Sequence, residues 1–97
     1  MGRTQLNNGK PWIDLYTGLG FRGTLHRLCI EGANRSTEFP KKDLPIFRSF
    51  IVGPGVVAQV HLQEQTRPIR FSPKTVLPDA SRRLDVRRVS GLTLVSR

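Results

Sequence analysis

Three glycines within eight residues, in the stretch from Tyr16 to Gly23, restrict the fold of this chain more than any other feature. Glycine adopts positive φ angles without a steric cost, so this spacing favours a tightly folded backbone over a regular strand or helix. Tyr16 and Phe21 flank two of the glycines, and two rings at this spacing can pack against each other over a turn. The stretch predicts a folded β-hairpin in which Gly23 has a positive φ angle.

A second stretch, residues 48–57, contains Ser49, an apolar run, a Gly-Pro-Gly turn and another apolar run. Taken with the spacing of Tyr16, Phe21 and Gly23, it resembles the Greek-key signature of the βγ-crystallin family. In that family the serine returns to hydrogen-bond the folded hairpin. The resemblance implies an all-β fold and a hydrogen bond from Ser49 to the backbone of residues 18–23.

The length of the chain, 97 residues, suits one domain, because a chain of this size cannot be divided into two self-sufficient cores. We predict a loose N-terminal lead-in over residues 1–10 and a single β-sandwich of two Greek-key motifs over residues 11–97. The first motif is expected at about residues 11–52 and the second at about residues 56–95.

Alternating apolar and polar residues predict short strands along the whole chain, and no stretch has a sustained helical period. Residues 41–45 are expected to hold one irregular or 3₁₀ turn, and residues 72–79 a loop with a brief extended piece. The predicted strands are residues 11–16, 24–30, 37–39, 46–52, 56–62, 69–71, 84–89 and 92–95.

The second motif is degenerate at the level of sequence. Residues 87–94 are similar to the last strand of a crystallin motif, with Ser90-Gly91 interpreted as a break between two strands. Between His61 and Phe71, however, there is no glycine, and no aromatic residue at the spacing of the first hairpin. The pattern therefore predicts one well-marked motif and one inferred motif.

The family resemblance raises the question of calcium binding, because many members carry a calcium-binding pattern of paired Asn or Asp residues and a Ser or Thr before the conserved serine. Aligned on Ser49, the paired positions hold Leu44 and Pro45, and the Ser/Thr position holds Arg48. Calcium takes six to eight oxygen ligands, several of them charged. Residues 81–86, the corresponding stretch of the second motif, also lack the paired acids. We predict that calcium binding is lost.

The nearest acids to these positions are Asp43 and Asp79, which could bind calcium only in a shifted register. We therefore expect no metal and no cofactor. Cys29 is the single cysteine, which excludes an internal disulfide, and its apolar neighbours predict a buried, inert thiol. Residues 1–10 show no signal-peptide pattern, and no apolar run is long enough for a membrane span. These features favour a cytoplasmic location.

The net charge is +9, and sixteen basic residues face seven acidic ones. A charge excess of this size attracts anions, and arginine suits bidentate pairing with phosphate or carboxylate. Arg87 and Arg88 are adjacent in a predicted strand, where neighbours point to opposite faces, so we expect that strand at a sheet edge. The predicted anion-binding residues lie in the C-terminal third: Arg70, Lys74, Arg82, Arg83, Arg87 and Arg88. The alternative is that these side chains are only solvated and deter association between sheets.

No catalytic motif is present, and we predict that the protein is not an enzyme. The predicted function is a non-enzymatic structural or binding module with degenerate calcium sites. The alternative is a small basic β-domain that binds nucleic acid or an acidic protein surface, or inhibits a partner by occupancy. A secreted toxin or protease inhibitor of this fold is a third alternative, which the missing disulfides and signal disfavour. The natural partner and the oligomeric state stay open.

Overall fold

The structure, a computed structural model, describes residues 11–30 and 35–96. The predicted lead-in, residues 1–10, lies outside the described residues. Eight strands and three short 3₁₀ helices make up the described part, which contains no α-helix. The strands are β1 (Trp12–Tyr16), β2 (Leu25–Cys29), β3 (Ser36–Pro40), β4 (Ser49–Val52), β5 (Val56–Leu62), β6 (Ile69–Phe71), β7 (Val76–Leu77) and β8 (Val89–Ser96). The 3₁₀ helices are Lys41–Asp43, Ala80–Arg82 and Val86–Arg88.

The strands form two antiparallel sheets of four strands each, in the orders β2-β1-β4-β7 and β3-β8-β5-β6. Each half of the chain contributes three strands to one sheet and its third strand to the other. Thus β3 pairs with β8, and β7 pairs with β4. This exchange joins the halves into one unit, because neither sheet is complete without a strand from the other half. The predicted all-β sandwich of two Greek-key motifs is confirmed.

The core lies between the two sheets and follows the alternation along the strands. Ile13 and Leu15 of β1 are fully buried, and the inward positions of β5 and β8 are filled by valine, alanine and leucine. Three phenylalanines form a chain of edge-to-face contacts, with ring centroids 5.9 Å apart for Phe47 and Phe50 and 4.9 Å apart for Phe50 and Phe71. Each buried ring of this kind contributes about 1.5–3 kcal/mol from its removal from water.

The outer face of the first sheet carries an ion pair between a buried carboxylate and a partly exposed arginine. Asp14, on β1, is only 4% exposed and lies opposite Arg27 of β2. Both carboxylate oxygens accept hydrogen bonds from the Arg27 guanidinium, at 2.5 and 2.7 Å. The same guanidinium lies 4.3 Å from the ring centroid of Trp12. The hydrogen bond to Asp14 raises the pKa of Arg27 above its ordinary value, so the guanidinium keeps its charge.

The strand predicted at residues 84–89 is wrong, and so is the break at Ser90-Gly91. The Asp85 carboxylate accepts a hydrogen bond from the backbone N–H of Arg87 at 3.0 Å, which begins the Val86–Arg88 3₁₀ helix. Strand β8 then runs without interruption from Val89 to Ser96. The glycine within it is explained by close packing, because a Cβ on Gly91 would lie 3.3 Å from the carbonyl oxygen of Phe39.

The expected edge position of this region is also wrong, since β8 lies between β3 and β5 inside the second sheet. Strand β4 begins at Ser49 rather than at residue 46, and Ile46 is 77% exposed. The prediction of a buried Cys29 thiol is wrong as well, because Cys29 lies on the edge strand β2 and is half-buried. Within the described ranges, no helix is long and apolar enough to cross a membrane.

Candidate anion-binding groove

The hairpin between β1 and β2 is held closed by its own backbone and by one distant serine. Gly18 N–H donates to the Arg22 carbonyl at 2.9 Å, and Gly23 has a φ angle of 81°. The buried Ser49 hydroxyl accepts a hydrogen bond from Phe21 N–H at 3.0 Å and donates one to the Gly18 carbonyl at 2.6 Å. The hydrogen bond expected between Ser49 and the hairpin is therefore present. The Tyr16 and Phe21 rings pack edge to face above it, with centroids 5.6 Å apart.

Two backbone hydrogen bonds attach the second half of the chain to the hairpin and to the residue before β4. Gly20 N–H donates to the carbonyl of Pro78 at 2.9 Å, and Ala80 N–H donates to the carbonyl of Arg48 at 2.7 Å. Ala80 itself is fully buried. The segment that follows Pro78 is thus fixed beside the hairpin and beside the residue that precedes β4.

An open groove runs between these three segments, and arginine is the most frequent residue in its lining. We call it the arginine groove and define it by Arg48, Arg82, Arg83 and Arg87. All four side chains belong to exposed residues. A shallower depression beside the hairpin shares Arg48 with the groove and adds Arg22, which extends the positive surface. The groove is built from both halves of the chain.

The two acids in the groove lining, Asp79 and Asp85, are engaged by the backbone turns next to them. One Asp79 oxygen accepts from Ser81 N–H at 3.1 Å and from the Ser81 hydroxyl at 2.6 Å. The Ser81 hydroxyl holds the pKa of Asp79 below its ordinary value. Asp85 caps the Val86–Arg88 helix and lies 3.6 Å from Arg88 Nε. These carboxylates therefore stabilise the groove walls.

The arginines differ in how far they are already paired. Arg82 Nε lies 3.8 Å from an Asp79 oxygen in an exposed pair, which contributes little energy. Arg83 lies over the Phe71 ring, 5.4 Å from its centroid. Within the part of the chain that the structure describes, Arg48 and Arg87 form no ion pair with an acid. Their guanidinium groups are available to an anion in the groove.

Three of the six predicted anion-binding residues lie elsewhere. Arg70 is exposed on β6, at the edge of the second sheet, and Lys74 lies in the turn before β7 with a φ angle of 67°. Arg88 is directed to Asp85 and to Glu64, whose carboxylate lies 3.9 Å away. Arg82, Arg83 and Arg87 are the three that the fold brings together.

Arg48 is the groove residue that sequence reasoning did not include. In the sequence it stands out only as a cation at a calcium-ligand position, directly before the serine that is hydrogen-bonded to the hairpin. The other positions of that motif, Leu44 and Pro45, are half-buried, and Asp43 is exposed in the Lys41–Asp43 helix. Across residues 11–30 and 35–96, no group of three or more His, Cys, Asp or Glu side chains could hold a metal ion.

Two large apolar side chains also line the groove and face solvent. Leu19, at the tip of the hairpin, is 50% exposed, and Ile46, ahead of β4, is 77% exposed. The lining also includes the buried Leu84 and the half-buried Val86. The groove therefore combines an apolar patch with positive charge.

Comparison with known proteins identifies a solved structure of similar fold. No family model matches the chain, and no curated protein matches it. A solved structure from a study of the evolution of the eye lens βγ-crystallin domain fold is similar to it, with a TM-score of 0.69 and 17% sequence identity. The similarity covers 94% of this chain and 91% of that structure. At this identity the likeness concerns the fold, and the hydrogen bonds from Ser49 to the hairpin agree with the family resemblance. The chain is therefore a βγ-crystallin-like domain.

Proposed function

We propose that this protein is a non-enzymatic binding module with degenerate calcium sites, and that it binds an anionic partner through the arginine groove. The βγ-crystallin fold is generally non-enzymatic. The observation that carries the proposal is the pairing of charges in the groove. Its two carboxylates serve neighbouring turns, whereas Arg48 and Arg87 have no acidic partner in the described part of the chain.

Because the arginines are concentrated in a concave surface, we expect an anion to bind in the groove and not diffusely over the whole protein surface. A cleft lined by one sign of charge focuses the electrostatic potential and raises the local concentration of counter-ions. Arginine adds geometric specificity, because its planar guanidinium donates two parallel hydrogen bonds to a carboxylate or phosphate. Calcium-binding members of the family have a Ser or Thr at the position that Arg48 occupies here. A cation at this position repels calcium, which supports the loss of the metal site.

The test compares two variants that lose the same charge. In the groove variant Arg48, Arg82, Arg83 and Arg87 are changed to Gln; in the control variant Lys41, Lys42, Arg70 and Lys74 are changed to Gln. Each carries a formal net charge of +5, four less than the +9 of the parent chain. Binding of polyphosphate is measured at low and at physiological salt, with a thermal melt to show that both variants are folded.

We expect the control variant to bind nearly as tightly as the parent at low salt and the groove variant to lose at least tenfold in affinity. Affinity should also fall steeply with salt, because binding to phosphates releases counter-ions. Equal loss in both variants would mean that net charge alone attracts anions. No binding by the parent at low salt would leave the arginines as solvated surface and the domain as a structural module.

A further inference from the structure

The arginine groove has a feature that attraction for anions does not explain. Ile46 is 77% exposed and Leu19 is 50% exposed, yet both lie in a groove lined by arginines. When a partner contacts an exposed isoleucine, the apolar surface of the side chain is removed from water. The favourable free energy of this burial is roughly proportional to the area covered. A ligand that fits the whole groove therefore has an apolar group between or beside its negative charges.

We propose that the partner is an acidic protein segment with a large apolar side chain, which packs on Leu19 and Ile46 while flanking carboxylates pair with Arg48 and Arg87. This inference rests on the proposed function and narrows the class of ligand. Protein interfaces commonly have this composition, with an apolar centre, a polar rim and an enrichment of arginine. Charge complementarity selects an acidic segment, because four arginines line the groove against two engaged aspartates.

Nucleic acid fits the same surface less well. Its outer surface is a phosphate backbone, which pairs with arginine but offers no aliphatic group to cover Ile46. A single strand that turned its bases inward would need aromatic side chains for stacking. The described residues that line the groove include no aromatic residue. The arginines alone suit a nucleic acid, whereas the arginines together with Leu19 and Ile46 suit an acidic, partly apolar protein segment.

The experiment uses two fluorescein-labelled peptides of equal charge. One has a central Leu-Phe pair between two blocks of three glutamates, and the other has Ser-Ser in place of Leu-Phe. Binding is followed by fluorescence anisotropy at physiological salt with the full chain, with its Ile46→Ser variant and, as a control for the loss of an apolar side chain, with its Val76→Ser variant. Val76 is 54% exposed on β7 and does not line the groove, so the control removes a comparable apolar side chain elsewhere.

We expect the Leu-Phe peptide to bind at least tenfold more tightly than the Ser-Ser peptide, which is the effect of burying one apolar side chain. Ile46→Ser should remove this difference and leave the affinity for the Ser-Ser peptide unchanged. Val76→Ser should preserve the difference. Thermal melts of both variants show whether they are folded, which is expected because both side chains are exposed.

Equal binding of the two peptides, or an unchanged ratio in Ile46→Ser, would overturn the inference. If the groove variant still lost polyphosphate binding in that case, the proposed function would stand without the apolar contact. Tighter binding of a DNA duplex than of the Leu-Phe peptide at the same salt would also overturn it in favour of a nucleic acid. Absence of binding to both peptides and to polyphosphate would contradict the proposed function itself.

Discussion

The hydroxyl of Ser49 donates a hydrogen bond to the carbonyl oxygen of Gly18, 31 residues earlier in the chain, at 2.6 Å. The same oxygen accepts the N–H of Phe21, so one buried side chain satisfies two backbone groups of the hairpin. Strand β4 is thereby tied to the tip of the hairpin, which carries Leu19, while Arg48 is the residue just before the serine. The hydrogen bonds of Ser49 therefore hold the hairpin and also position Leu19 and Arg48, which line the groove.

Changing Ser49 to Ala should destabilise the protein by about 2 kcal/mol, because the N–H of Phe21 and the carbonyl of Gly18, both in half-buried residues, lose their partner. The free energy of unfolding is measured by urea denaturation. Ser36→Ala is a matched control, since Ser36 is exposed on the edge strand β3 and should change stability by less than about 0.5 kcal/mol. Equal effects of the two substitutions would show that the serine does not lock the hairpin.

The two glycines with positive φ angles in this hairpin should respond differently to alanine. Gly20 has a φ of 62° and space for a Cβ, so Gly20→Ala should cost about 1 kcal/mol from backbone strain alone. At Gly23, with a φ of 81°, the added Cβ would also collide with Thr17 Oγ1, which accepts the Thr24 N–H. Gly23→Ala should cost about 1 kcal/mol more than Gly20→Ala. Similar urea midpoints for the two variants would argue against a steric role for Gly23.

The ion pair of the buried Asp14 with the partly exposed Arg27 predicts an energetic coupling between the two side chains. Arg27→Met retains packing over Trp12 but leaves a buried carboxylate without its partner. We expect a loss of about 2 kcal/mol, less than for a fully buried pair, because the Arg27 side chain is 33% exposed. The double variant Asp14→Leu with Arg27→Met should recover most of this loss. A double-mutant cycle by urea denaturation measures the coupling, and additive effects would contradict it.

Much of the fold could be predicted from local pattern. The alternation in β5 and β6 and the glycine spacing of the hairpin are local, and the structure has the strands at the predicted positions. The region around Arg87 and Arg88 could not be predicted, because a carboxylate of Asp85 that caps a 3₁₀ helix competes with the strand pattern. The role of Gly91 is not evident from the local sequence, because the residue it packs against, Phe39, is distant in the chain.

The groove was predictable only in part for a similar reason. Arg82, Arg83 and Arg87 are near one another in sequence, so their charge is evident from composition. Arg48 and Ile46 reach the same surface only through long-range contacts such as the hydrogen bond from Ala80 to Arg48. A list of charges along the chain cannot reveal which side chains share a concave surface.

Calcium should not stabilise the native protein. A ligand that binds only the folded state adds about 2.7 kcal/mol at a hundredfold excess over its dissociation constant. Because we expect the protein not to bind calcium, its melting temperature in millimolar calcium should equal that in chelator. A variant with Leu44→Asp, Pro45→Asn and Arg48→Ser restores the side chains of the family pattern and should gain a calcium-dependent rise. A chelator-sensitive rise in the unmodified protein would show that other oxygens form a site.

The location of a bound anion is measured most directly by titrating the ¹⁵N-labelled protein with polyphosphate and following its amide and arginine Nε resonances. We expect the largest shifts at Arg48, Arg82, Arg83 and Arg87, with smaller ones at the hairpin tip. Arg70 and Lys74, which lie outside the groove, should change little. Largest shifts at Arg70 and Lys74, or uniform small shifts over all basic residues, would contradict the assignment of the arginine groove as the binding site.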